Sequence, residues 1–342
     1  MLYSELDTQR LLAVEPSSEY RSEFKRDYGR LVHSAAFRRL QGKTQLFPGQ
    51  ESDFFRNRLT HSIEVAQIAK SIACRVNREL VKDKGFSDDQ LIDIDLVEFS
   101  ALSHDLGHPP FGHVGEGILD EIMRPYGGFE GNAQTLRVLC RLEKKLDSKD
   151  QLDDNGVPLV YLNGEDARVG INATFRSIAS VLKYDKVINR SRGNNDEIRK
   201  GYYESESVVV DRIKDCIGIS NRGVLRTIEC SIMDLADDIA YSTYDLEDNL
   251  KAGFIDLPDM ISQQPYFYEE LSILVTKAFG DNDLHRNKRF NEKHMLKELE
   301  KFVQYFIFPN EDIKDLKNEK SDDWYIKVAG SVEQTASQYS RS

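Results

Sequence analysis

The chain is poor in cysteine. Cys74, Cys140, Cys216 and Cys230 are the only four in 342 residues, they are widely spaced, and none forms a CxxC pair. A disulfide framework or a thiolate metal site is not expected, and buried thiols in a reducing compartment are. Long apolar runs are missing as well: nothing approaches the roughly 18 consecutive residues of a membrane-spanning helix. The opening MLYSELDTQRLL lacks the apolar core of a signal peptide. The expectation is a soluble cytoplasmic protein with no membrane contact.

Basic charge is also short. The 46 Lys and Arg residues face 58 Asp and Glu, a formal net charge of −12. That balance disfavours a general nucleic-acid surface, so DNA binding is left open but not predicted. An anionic small molecule is not excluded, because a metal ion and a few basic side chains can reverse the local potential. Internal repeats, heptad arrays and low-complexity linkers are absent, so nothing divides the chain cleanly and a single globular unit over 1–342 is expected.

What is present reads as helix. Composition is ordinary for a folded protein, 40% hydrophobic and 30% charged. Helices are expected over Glu23 to Leu40, Leu59 to about Leu80 and Leu96 to Asp105, the last stopped by Gly107 and Pro109-Pro110. Further helices are expected from Val114 into the 120s, Asn132 to Lys145, Thr174 to Lys183, Val208 to Cys216 and Val224 to Leu250. Weaker patterns lie near Gln263 to Phe279 and His294 to Phe306. Between Gln151 and Arg168, an Asp-Asp-Asn-Gly turn, the β-prone run Val157 to Leu162 and Asn163-Gly164 suggest a small hairpin projecting from a helical body.

The chemistry-bearing pattern is His61, then the adjacent pair His104-Asp105, then an Asp-Asp pair in the helix MDLADDIAYSTYDLED. Any one of these alone is more often structural. Together, beside the run SHDLGHPPFGH, they suggest one divalent metal site of imidazole nitrogen and carboxylate oxygen, a donor set suited to Mg, Mn, Fe or Zn. On the late helix Asp234, Asp237, Tyr241, Asp245 and Asp248 share one stripe, while Asp238 starts about 100° away. Both Asp237 and Asp238 stay open as the fourth ligand on spacing alone. His113 and Glu116 stand three apart, a spacing at which the carboxylate can orient the imidazole.

RLTHS at 58–62, HDLGHPPFGHVGE at 104–116, FEGNAQ at 129–134 and ADDIAYSTYDLED at 236–248 resemble the HD-domain superfamily. More closely, they resemble the bacterial deoxyguanosine triphosphate triphosphohydrolase family, in the right order over roughly residues 20–250. The resemblance implies an all-α HD-domain helical core at about 50–250, with the small β-hairpin as an insertion. Residues from about 251 to 330 would form a shortened or divergent helical region.

The family cleaves a deoxynucleoside triphosphate into deoxynucleoside and inorganic tripolyphosphate. By resemblance, His61, His104, Asp105 and Asp237 hold the metal, with Mg²⁺ or Mn²⁺ first and Fe or Zn as alternatives. His113 and Glu116 are the catalytic pair; His108, a further catalytic candidate from its place in the same run rather than from the resemblance, could bond a phosphate, donate a proton near the leaving group or stabilise the glycine-proline turn. Gln41, Arg58, Asn172, Lys183, Lys200, Tyr241 and Asp245 contact substrate, with Lys186 or Arg199 as substitutes among the phosphate residues. Glu130 and Asn132 organise the catalytic face or a helix start. A homo-oligomer, such as a hexamer, and a nucleotide effector are also implied.

Overall fold

The computed structural model describes residues 2–12, 20–46, 56–143, 168–188, 200–218 and 225–254, together with residue 273. The chain divides into two compact units, residues 1–241 and 242–342. The fold is all-α. In chain order the helices are α1 (Glu23–Val32), α2 (Ala35–Arg39), α3 (Arg58–Lys84), α4 (Ile94–Ser103), α5 (Gly112–Met123), α6 (Gly131–Arg137), α7 (Phe175–Ala179), α8 (Ser207–Ile217) and α9 (Ile228–Lys251). A two-residue parallel pair, β1 (Val187–Ile188) and β2 (Tyr202–Tyr203), lies between α7 and α8. The expected hairpin at 151–168 and the late helices near 263–279 and 294–306 lie outside the described residues, apart from Arg168 and Ile273.

Local signals explain the helix ends. Asn57 and Thr60 form a reciprocal capping box that starts α3 at Arg58, and Gly85 stops it in the left-handed conformation at φ 66°. At about 1.5 Å per residue, α3 is roughly 40 Å long. The helix expected from Glu23 to Leu40 is broken at His33-Ser34, because the Ser34 hydroxyl accepts the Phe37 N–H and begins α2. Asp93 caps α4 through the Leu96 N–H at 2.9 Å. The helix expected to run to Lys145 ends as α6, followed by a wider π turn over Val138–Leu142.

The core lies where α4 packs between α3 and α1. Helix α3 contributes a narrow stripe of Val65, Ala66, Ala69 and Ala73, small enough for close approach to Leu96, Val97, Phe99 and Leu102 of α4. Each large apolar side chain buried this way contributes about 1.5–3 kcal/mol. Of the four cysteines, Cys140 and Cys230 are buried and Cys216 is half-buried. Cys74, expected to be buried, is exposed: it follows the core residue Ala73 and is therefore rotated about 100° off the buried stripe. Burial pushes the Cys140 thiol up to about 12 and the Cys230 thiol to about 11. No described helix is long and apolar enough to cross a membrane.

Two buried ionic clusters tie the N-terminal segment to later helices. Arg10 pairs with Glu23 and with the fully buried Asp27, whose other oxygen accepts the Thr174 N–H and the Ser177 hydroxyl. Arg176 donates twice to Glu229 at the start of α9, and the Tyr3 hydroxyl donates to Glu229 at 2.7 Å. Because Asp27→Ala leaves the buried Arg10 with Glu23 as its one remaining charge partner among the described residues and takes the acceptor from the Thr174 N–H and the Ser177 hydroxyl, it should lower unfolding stability by about 3–5 kcal/mol. Urea unfolding followed by circular dichroism checks this, and a loss below about 1 kcal/mol would contradict the role assigned to Asp27.

Candidate metal centre

Three helices supply the centre. His61 lies in the first turn of α3, with only 2% of its surface exposed. Helix α4 ends at Ser103, so His104 caps it and Asp105 falls in the following turn. Asp237 comes from the middle of α9. His61, His104 and Asp105 each offer a ligand atom within 4.8 Å of the others. Asp237 adjoins both rings: its Oδ1 is 3.2 Å from His61 Nε2 and 3.5 Å from His104 Nε2. His104 Nε2 is also 3.6 Å from Asp105 Oδ2.

This donor set fits a divalent cation. With metal–ligand bonds near 2.1 Å, neighbouring ligand atoms stand roughly 3 Å apart, close to the separations found here. His104 Nδ1 lies 2.6 Å from the Ala101 carbonyl, so Nδ1–H donates there and Nε2 is the atom turned toward Asp237. Carboxylates and cationic groups compensate one another across the cluster. Burial opposes ionisation of Asp105, yet His104, Arg58, His108 and His61 hold it well below the usual carboxylate range. Asp237 is likewise depressed against burial by its hydrogen bonds and charge interactions with His104 and His61. Burial opposes charging of His104 too, but Asp105 and Asp237 outweigh it and push the ring up to about 9. A potential that favours a proton on His104 also favours a bound cation.

The turn carrying His104 and Asp105 is braced on several sides. Arg58 Nη1 donates to Asp105 Oδ2 at 2.6 Å, while its Nε donates to the Thr44 carbonyl at 3.2 Å. The Thr135 hydroxyl accepts the Gly107 N–H at 2.9 Å and lies 3.1 Å from the His104 carbonyl. Gly107 has no room for a side chain, because a Cβ there would come within 2.2 Å of the Thr135 nitrogen and 2.4 Å of the Gly131 carbonyl. Sequence reasoning missed Thr135. Its signal was faint, a small hydroxyl residue one position beyond the FEGNAQ run on a partly buried helix.

The His113–Glu116 pair is formed: His113 Nδ1 lies 3.3 Å from Glu116 Oε2 across the first turn of α5. The imidazole is 90% exposed, whereas Glu116 is largely covered and its other oxygen accepts the Gly131 N–H at 2.8 Å. Glu116 therefore ties α5 to the start of α6. Glu130 caps α6 through the Ala133 N–H and is joined by Asn132 Nδ2 at 2.6 Å. His108 Nδ1 is 3.6 Å from Asp105 Oδ1, and its buried Nε2 has no hydrogen-bond partner. Burial is the main cause that lowers the His108 ring to about 4, against the pull of Asp105.

The remaining expected substrate residues are scattered in character. Gln41 is exposed in the short turn Leu40–Gly42, and Tyr241 is 63% exposed on α9, one turn beyond Asp237. Asp245 follows on the same helix but belongs to the second unit. Lys183 pairs with Asp234, which also takes Arg226. Lys200 sits over the Tyr184 ring at 5.3 Å, and Lys186 is exposed. The Asn172 carboxamide is buried and closes two hydrogen bonds with the Leu12 backbone. Arg199 lies outside the described residues, and Asp238 is exposed.

The HD-domain family profile matches residues 58–242, which hold every residue of this centre. The chain is 52% identical over 270 residues to a deoxyguanosinetriphosphate triphosphohydrolase-like protein 2 of Mesorhizobium japonicum, covering 76% of this chain and 53% of that protein. A deoxyguanosinetriphosphate triphosphohydrolase-like protein of Bradyrhizobium diazoefficiens is 38% identical over 251 residues, 73% of this chain and 53% of its own length. The one from Agrobacterium fabrum is 34% identical over 301 residues, 88% and 63% respectively. The chain thus spans little more than half the length of the first two of these curated relatives. With its profile match and with His61, His104 and Asp105 gathered at the ends of α3 and α4, this chain belongs to the HD-domain family, among the deoxyguanosinetriphosphate triphosphohydrolase-like proteins.

Proposed function

We propose that the chain is a metal-dependent phosphohydrolase that cleaves a deoxynucleoside triphosphate between the α-phosphorus and the 5′-oxygen. The products are the deoxynucleoside and inorganic tripolyphosphate. The observation that carries this reading is the convergence of two imidazoles and two carboxylates, His61, His104, Asp105 and Asp237, from the start of α3, the turn that ends α4 and the middle of α9. These four residues would hold the cation, Mg²⁺ or Mn²⁺ in the first instance. When bound, a divalent cation stabilises the negative charge that builds on the phosphoryl oxygens.

The protein's own groups then divide the work. His113, oriented by Glu116, positions the attacking water and takes its proton. His108 offers its unpartnered Nε2 edge to a phosphate oxygen. Arg58 is held in place by Asp105 and Thr44, and its remaining N–H groups suit a phosphate. Lys183 and Lys200 add positive charge for the triphosphate. Tyr241 packs under the sugar and excludes a 2′-hydroxyl, while Gln41 takes the 3′-hydroxyl. Preference for deoxyguanosine triphosphate belongs to the same reading and is supported by the names of the relatives, while assembly into a homo-oligomer and nucleotide activation rest on the sequence resemblance alone.

Incubation of a panel of deoxynucleoside triphosphates with Mg²⁺ or Mn²⁺, with all phosphorus products resolved by ³¹P NMR, should show tripolyphosphate and free nucleoside. Exclusive release of monophosphate and pyrophosphate would reject the proposed bond cleavage. Substitution separates the roles further. His104→Ala, Asp105→Ala and Asp237→Ala should lose Mn²⁺ binding and activity together, measured by calorimetry and turnover. His113→Ala should keep Mn²⁺ while kcat falls about 10²–10⁴-fold. If Asp238→Ala lost the metal and Asp237→Ala kept it, the fourth ligand would be Asp238.

A further inference from the structure

Behind the turn that carries Asp105 and His108 lies a cation that the proposed chemistry does not use. Lys43 follows the short helical turn Leu40–Gly42, and its half-buried ammonium donates to the main-chain carbonyls of Leu106, at 3.0 Å, and His108, at 2.9 Å. Those two carbonyls flank Gly107, whose N–H is held by Thr135. The Lys43 carbonyl in turn accepts the Arg58 N–H at 2.9 Å, at the first residue of α3. One residue is therefore bonded both to the turn bearing Asp105 and to the start of the helix bearing His61.

The chemistry of the amine matters here. An ammonium has three donors, and two are spent on carbonyls. Carbonyls just past the end of α4 have no partner within the helix and carry partial negative charge, so a cation suits them. Burial lowers the proton affinity of Lys43, and the charge of Asp105 acts against that shift. The ammonium also borders a cavity of about 280 Å³ that reaches Arg39, His108 and Gln134, so a phosphate-binding role is the competing assignment.

We infer that Lys43 is a positioning residue: by bridging the Leu106 and His108 carbonyls it holds the Asp105–His108 turn in register with the start of α3. This rests on the metal-centre reading above, but the bonds themselves do not depend on it. Lys43 acts through main chain, so its loss loosens the turn before it weakens contact with substrate.

The test compares the full chain with Lys43→Met, which keeps the bulk and removes the donors, and with Lys43→Arg, which restores donors. Hydrogen exchange of the metal-stripped protein should rise about tenfold or more at the Gly107 and His108 amides in Lys43→Met, with amides of α8 unchanged. The Mn²⁺ dissociation constant, by calorimetry, should rise about 10–100-fold, while KM at saturating Mn²⁺ stays within about twofold. Lys43→Arg should recover most of both effects. Unchanged exchange at the turn would overturn the inference, and a raised KM at unchanged Mn²⁺ affinity would make Lys43 a phosphate ligand instead. If the unsubstituted chain takes up no Mn²⁺, the metal reading fails, while the exchange comparison still decides the role of Lys43. Should Lys43→Met not fold, Lys43→Leu, which also lacks donors, carries the same comparison.

Discussion

Two carboxylates, Asp105 and Asp237, are held ionised against two imidazoles, and the surrounding structure is arranged to make that possible. A buried carboxylate without compensation would take up a proton. Here the compensation is explicit: Arg58 reaches Asp105 at 2.6 Å, and His61 and His104 both face Asp237 Oδ1. Two carboxylates and two imidazoles gathered in this way form a donor set that suits a divalent cation. Remove the negative pair and the His104 ring loses the interactions that raise its affinity for charge.

The centre needs rigid supports because its members come from distant parts of the chain. His61 is fixed by the capping box that starts α3, and His104 by the end of α4 and the Ala101 carbonyl. Asp237 depends on the placement of α9, whose first turn is clamped through Glu229 by Arg176 and Tyr3. Small side chains along α3 let α4 approach closely, which brings the first turn of one helix to the last turn of the other. Packing, capping and buried ion pairs thus act on the same few ångströms.

The second tier of contacts is mostly main chain. Gly107 is crowded by the start of α6, Thr135 accepts its N–H, and Lys43 gathers the carbonyls on either side. Glu116 serves two masters in the same spirit, facing His113 with one oxygen and the Gly131 N–H with the other. The run from His104 to Glu116 is therefore held by residues from the segment before α3, from α5 and from α6. Its compact spelling in the sequence hides a wide set of supports.

Much of this was legible in the residues alone. Helical periodicity, the Gly-Pro stop after Asp105 and the three-residue spacing of His113 and Glu116 are local properties, so they place α3, α4, α5 and α9 within a few residues. The break between α1 and α2 was not legible, because Ser34 can cap a new turn or sit within a longer helix, and the neighbouring core decides. The bonding of Asn172 to the Leu12 backbone, 160 residues away, was equally hidden, since nothing local in the sequence pairs the two. Spacing left both Asp237 and Asp238 available, and only the three-dimensional meeting of α3, α4 and α9 put Asp237 beside the two imidazoles. Sequence by itself determined residue chemistry and helical phase, which act over a few residues. Tertiary structure decided which distant groups share a few ångströms, because that depends on how whole helices pack.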